Sequence, residues 1–160
     1  MYVPIEKLDG VRGDGRATGL LYYDVQRPIE EMSPINAFNE FWNLILAARH
    51  LSASPKIQRV IRYIGANYPK PVKLTAAAAF IGVHPNHLCR KFREEMGLSF
   101  HEYTVRYRIQ KAMFLLADTE KPIKEIGYEV GFSCPEAFSK SFKRRLGCTP
   151  GRYRNRYRHG

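Results

Sequence analysis

The chain has 160 residues, 44% of them hydrophobic, and 26 Lys and Arg against 15 Asp and Glu, for a formal net charge of +11. That length holds one or two small domains, and no stretch approaches the roughly 20 apolar residues of a membrane-spanning helix. The start, Met1-Tyr2-Val3-Pro4-Ile5, lacks the basic and apolar regions of a secretory signal, so the expected location is the cytoplasm, with no membrane partner.

Cys89, Cys134 and Cys148 are too few and too widely spaced for a disulfide framework or a zinc ligand set. They read as reduced thiols, and no metal or cofactor is expected. The charge is unevenly placed. Residues 1–54 hold five basic and seven acidic side chains, a net −2, whereas residues 55–160 hold 21 and eight, a net +13. Such asymmetry points to a polyanion partner for the second part, bound through released counterions and weakened by salt. Charge alone suits DNA, RNA or an anionic surface equally.

In chain order, residues 19–25 have the composition of a strand. Phe38, Phe41, Trp42 and Ile45 then form an apolar stripe on a helix expected over residues 36–49. A helix that apolar needs a cover. Three readings stand for residues 1–54: they pack on the second part, form a homodimer seam, or are the remnant of a sensor domain whose effector cannot be named.

Ser52-Ala53-Ser54-Pro55 reads as a linker. Ile57, Val60, Ile61 and Ile64 follow the spacing of an amphipathic helix, which Pro69 and Pro71 end. A short helix over residues 74–81 stops at Gly82, and Pro85 opens another that closes at Gly97. Ser99 and Glu102 have capping-box spacing ahead of a long helix reaching Asp118. Then the pattern restarts. Pro122 opens a short helix ending at Gly131, Pro135 opens one ending at Gly147, and Thr149-Pro150 starts a last one carrying Tyr153.

The restart is an internal repeat. With a shift of 50, Pro85, Leu88, Arg90, Phe92, Met96, Gly97, Ser99 and Tyr103 match Pro135, Phe138, Lys140, Phe142, Leu146, Gly147, Thr149 and Tyr153. The expected fold is therefore all-α: two helix-turn-helix lobes over residues 55–160 joined by one long helix, behind a short N-terminal segment.

At about 100° per residue, Leu88, Phe92 and Met96 share one stripe of the second helix of the first unit, and Asn86, Arg90 and Arg93 lie roughly opposite, with Cys89 on the shoulder. In the second unit Phe138, Phe142 and Leu146 make the core stripe. Glu136, Lys140 and Lys143 face outward, with Ser139 on the shoulder. A major groove about 12 Å wide admits one such helix. Arg90 has the donors for guanine, Asn86 for adenine, and Glu136 the acceptor for cytosine. The joining helix, roughly 28 Å long, is close to the ~34 Å between successive grooves on one DNA face. The helices over about 85–96 and 135–146 are thus expected to enter adjacent major grooves of double-stranded DNA. Arg93, Lys143, Arg144 and Arg154 are the expected phosphate contacts, which position the protein without specifying sequence.

The run Ile123-Lys124-Glu125-Ile126-Gly127-Tyr128-Glu129-Val130-Gly131-Phe132-Ser133, with Phe138-Ser139-Lys140-Ser141-Phe142-Lys143 and Gly147-Cys148-Thr149-Pro150-Gly151-Arg152-Tyr153-Arg154, resembles the DNA-binding domain of the AraC/XylS family of bacterial transcription regulators. His87-Leu88-Cys89-Arg90-Lys91-Phe92 and Gly97-Leu98-Ser99-Phe100-His101-Glu102-Tyr103 fit its upstream half. The resemblance covers about residues 55–154. It implies a two-lobed helical domain whose base contacts are Asn86, Cys89 and Arg90 in one lobe and Glu136, Ser139 and Lys140 in the other. It further implies a regulator, not an enzyme, with RNA polymerase as second partner. Three departures from the family pattern are Ala77 for a larger apolar residue, Gly127 for alanine, and His84 for serine as a helix cap; looser packing and a poorer cap are expected from them. The alternative of a different class is a DNA-repair or DNA-modifying protein using the same module for targeting. It would need an activated cysteine, commonly in a metal cluster.

Overall fold

A computed structural model describes residues 44–46 and 48–157. The strand expected over residues 19–25 and the Phe38, Phe41, Trp42 stripe lie outside these residues. After the helical residues 44–46 and 48–52 come seven helices: α1 (Pro55–Asn67), α2 (Leu74–Ile81), α3 (Pro85–Met96), α4 (Phe100–Asp118), α5 (Ile123–Glu129), α6 (Pro135–Leu146) and α7 (Pro150–Tyr157). Every described element is helical.

Two cores form, one per lobe. The first gathers Ile57, Val60, Ile61 and Ile64 of α1, Ala77, Ala78 and Ile81 of α2, Leu88, Phe92 and Met96 of α3, and Phe100 and Tyr103 of α4. The second takes Val105, Ile109, Ala112 and Leu116 of α4, Ile126 of α5, Val130 after it, and Phe138 and Phe142 of α6. The long helix therefore changes lobes between Tyr103 and Val105, about one turn from its start. Its first part does in lobe one what α7 does in lobe two. Phe92 meets Tyr103 edge-on at 5.4 Å, and Phe142 meets Tyr153 edge-on at the same 5.4 Å. Its second part plays the role of α1, since Val105, Ile109 and Ala112 repeat the buried spacing of Ile57, Ile61 and Ile64. One helix thus belongs to both repeats.

Helix ends follow local chemistry with some exceptions. Ser99 Oγ accepts from the Glu102 N–H at 3.1 Å, and Thr149 Oγ1 from that of Arg152 at 3.3 Å. The reciprocal arm of the expected capping box is absent: the Glu102 carboxylate is drawn to Arg145 and Arg106 instead. His84, expected to cap poorly, does fill the cap, its Nδ1 accepting from the Asn86 N–H at 3.2 Å. Gly127 does not loosen the second lobe either. A Cβ there would stand 3.1–3.2 Å from the Phe138 side chain, so the ring is already seated against the backbone.

The core stripe of α6 needs one correction. Leu146 was its expected third member, but it is only half-buried and Arg145 is buried instead. From Phe138 the steps of four and seven residues land on Phe142 and Arg145, the helical spacing that keeps one face inward.

The described residues ahead of α1 pack on lobe one, with Leu46 and Ala53 in its core. Arg49 donates from Nη1 to the Glu95 carbonyl at 3.2 Å and its guanidinium lies against Gly97. Ser54 donates its N–H at 2.7 Å and its hydroxyl at 2.9 Å to the Glu95 carboxylate, which Lys91 also meets at 3.1 Å. The last turn of α3 is thereby tied to the chain that precedes the lobe.

Candidate nucleic-acid interface

The outward faces of α3 and α6 are built by the same division of labour. Burying Leu88, Phe92 and Met96 on one side of α3 leaves Asn86, Cys89, Arg90 and Arg93 exposed on the other. Burying Phe138, Phe142 and Arg145 leaves Glu136, Lys140, Lys143 and Arg144 exposed on α6, with Ser139 half-buried at the shoulder. Pro85 and Pro135 occupy the first turns, where a missing N–H costs nothing. The first turn of each helix also presents the positive end of its dipole, suited to an anion.

The free guanidinium of Arg90 is only loosely held. Its side chain is 73% exposed and meets Glu94, 63% exposed, at 3.7 Å. Such a surface pair is readily exchanged for a base edge. Lys143 and Arg144 stand exposed in the last turn of α6.

Arg154 is placed differently from the others. It is half-buried, donating from Nε to the Leu116 carbonyl at 3.4 Å and from Nη2 to the Lys121 carbonyl. It covers carbonyls left open at the end of α4.

Sequence reasoning passed over three arginines, of which Arg145 and Arg108 reach between elements of the two lobes and Arg106 pairs within α4. Arg145, 7% exposed, donates from Nη2 to Glu102 Oε2 at 2.7 Å and from Nη1 to the Ser141 carbonyl at 3.3 Å. Arg106 shares Glu102 at 3.3 Å. Burial works against the charge on both guanidiniums, and the Glu102 carboxylate works for it. Arg108 donates from Nε to the Tyr68 carbonyl and from Nη2 to the Lys70 carbonyl, both at 2.9 Å, while its guanidinium faces the Phe132 ring. The helical spacing of Arg145 on Phe138 was the one signal in the sequence that could have exposed this set.

Cys89 is exposed, and Cys134 and Cys148 are half-buried. Among the described residues no group of three His, Cys, Asp or Glu could hold a metal ion, and no helix is long and apolar enough to cross a membrane.

A chain carrying two helix-turn-helix units on one shared helix defines a narrow class. The profile of the helix-turn-helix domain family matches residues 77–156. The chain belongs to that family, in its AraC/XylS-type form. It is 30% identical, over 91% of its own length and 52% of its relative's, to the uncharacterised HTH-type transcriptional regulator YfiF of Bacillus subtilis. It is 37% identical to the HTH-type transcriptional regulator GlxA of Rhizobium meliloti, over 69% of this chain and 34% of that one. The C-terminal domain of AraT, a response regulator from Geobacillus stearothermophilus, superposes with a TM-score of 0.64 at 34% identity, covering 67% of this chain and 89% of that one. An AraC-type transcriptional regulator from Chromobacterium violaceum gives 0.63 at 28%, covering 66% and 94%. The chain spans from a third to about half the length of these two curated relatives.

Proposed function

We propose that the chain is a sequence-specific regulator of transcription that binds double-stranded DNA through α3 and α6, placed in two adjacent major grooves. The observation that carries this is the repeat in three dimensions. Two helices with matched aromatic anchoring present exposed polar faces at the same repeat positions, on a part of the chain with a net charge of +13. Regulator names among relatives, and the AraC type of the structural neighbours, support the same reading.

In this arrangement Asn86, Cys89 and Arg90 read one half-site, and Glu136, Ser139 and Lys140 the other. Arg93, Lys143 and Arg144 meet phosphates. Arg154 serves the phosphate contact indirectly, by fixing the end of α4 beside α7. RNA polymerase is the partner through which binding would act, the location is cytoplasmic, and the chemistry is binding alone, without catalysis. No observation among the described residues favours the repair-protein alternative. Selecting bound sites from random duplex DNA tests the proposal: two short conserved blocks about one helical turn apart are expected. A single block, or equal affinity for single strands and RNA at matched salt, would refute it.

A further inference from the structure

We infer that two polar braces across α4 fix the angle between the lobes, and so make the spacing between the two half-sites a specificity determinant in its own right. The inference rests on the proposed DNA reading and concerns Glu102, Arg145 and Arg108 as positioning residues.

The need for a brace is geometric. A 19-residue helix is about 28 Å long, and helices of ordinary curvature bend with radii of roughly 60–100 Å. Over 28 Å that curvature turns one end against the other by about 16–27°. One base pair of DNA adds about 34–36° of rotation and about 3.4 Å of rise. A bridging helix free to bend over its ordinary range would therefore blur the register by a large part of one base pair.

The braces act on this bend from two sides. Glu102 lies in the first turn of α4, anchored in lobe one by Ser99, Phe100 and Tyr103. Arg145 reaches it from the last turn of α6, a reading helix of lobe two. The contact is a charge-assisted hydrogen bond of 2.7 Å between an Arg145 side chain 7% exposed and a Glu102 side chain 31% exposed, so solvent screens it from the Glu102 side only. Arg145 Nε is buried with no partner, which leaves the Glu102 carboxylate and the Ser141 carbonyl as the acceptors that hold the group in place.

The second brace leaves α4 six residues on, at an azimuth about 120° away from the first. Arg108, on the part of the helix that serves lobe two, grips the Tyr68 and Lys70 carbonyls in the loop after α1. The turn of the second unit closes down on the same loop. At Gly131 a Cβ would overlap the Tyr68 carbonyl oxygen and stand 2.9 Å from Arg108 Nε. Only a glycine permits that approach, at a φ of +97° besides. The first brace joins the lobe-one end of α4 to α6, and the second joins α4 to the end of α1, a lobe-one helix whose following Tyr68 ring packs against the lobe-two core; the two leave the shared helix at different azimuths.

The test uses the full chain and duplexes carrying its selected site, with the central spacer unchanged, lengthened by one base pair or shortened by one, together with each half-site alone. Wild type is expected to lose about 100-fold in affinity on either spacer change, the scale of one or two mismatched base pairs. Glu102→Gln keeps the backbone N–H that Ser99 caps and removes the charge; its loss on spacer change should fall below about 10-fold while half-site affinities hold. Arg145→Met should relax spacing equally, and the double variant no further, because the pair acts as one unit. If Arg145→Met lowers affinity for the second half-site, lobe two has been damaged and Glu102→Gln decides. An unchanged spacing penalty in Glu102→Gln overturns the brace and leaves the DNA reading standing. Wild type that binds no duplex above background overturns both.

Discussion

Replacing Arg90 by alanine separates reading from folding in a single step. In the structure the guanidinium has one partner, Glu94 at 3.7 Å, and both side chains are mostly exposed. An exposed pair at that spacing on a helix stabilises by about 0.3–0.5 kcal/mol, and alanine has the best helix propensity, so the two effects nearly cancel. Thermal unfolding of Arg90→Ala should match wild type within about 1–2 °C. A bidentate contact to guanine, by contrast, discriminates by about 1–3 kcal/mol, or roughly 5- to 150-fold in relative affinity for the right base. Site selection with Arg90→Ala should flatten one position of the half-site read by α3 and leave the α6 half untouched. Glu94→Ala, which frees the guanidinium of its competitor, should keep the preference and bind at least as tightly. If the selected base frequencies of Arg90→Ala equal those of wild type, α3 presents a different face to DNA than the one assigned.

Other outcomes follow from the same geometry. Lys143→Ala and Arg144→Ala should each weaken all duplexes alike and lower the slope of log affinity against log salt by about one, measured from 50 to 300 mM salt. Phe142→Ala opens a cavity beside Phe138 and Tyr153 and should cost lobe two about 3–5 kcal/mol in denaturant unfolding. Gly131→Ala should destabilise well beyond Gly82→Ala: both need positive φ, worth about 1–2 kcal/mol against a side chain, but only Gly131 faces a carbonyl that a Cβ would overlap. Desolvation pushes the Glu95 carboxyl up, yet the two Ser54 hydrogen bonds and Lys91 outweigh it and hold it below the usual carboxylate range. A depressed carboxyl stabilises the fold above its unfolded value and loses that contribution as pH falls through its folded value. The stability gap between wild type and Glu95→Gln should accordingly be widest at neutral pH and close in acid.

The architecture was readable because its determinants are local. Leu88, Phe92 and Met96 sit at helical spacing, each about one turn from the next, Pro85 and Pro135 mark starts, and the copy 50 residues on removes the ambiguity of a single amphipathic helix. The same spacing left the outward side chains of both helices in view without any knowledge of what they pack against. Where local rules erred, a distant group had intervened. Ser99 and Glu102 have the sequence of a reciprocal cap, but a carboxylate near a buried guanidinium gains more from that charge than from a neutral N–H.

The chain by itself thus determined the helices and which faces turn outward, because those depend on residues three to seven positions apart, and it showed their repeat because the same local pattern recurs 50 residues on. Tertiary structure decided the rest. Arg145 and Glu102 are 43 residues apart, Arg108 and Tyr68 are 40, and Arg49 and Glu95 are 46. Neither the helical period nor the 50-residue repeat pairs residues across those gaps. Polar side chains in the interior take whichever partner the packed lobes bring within reach, since a buried charge left alone is costly, and that choice exists only once both cores have closed.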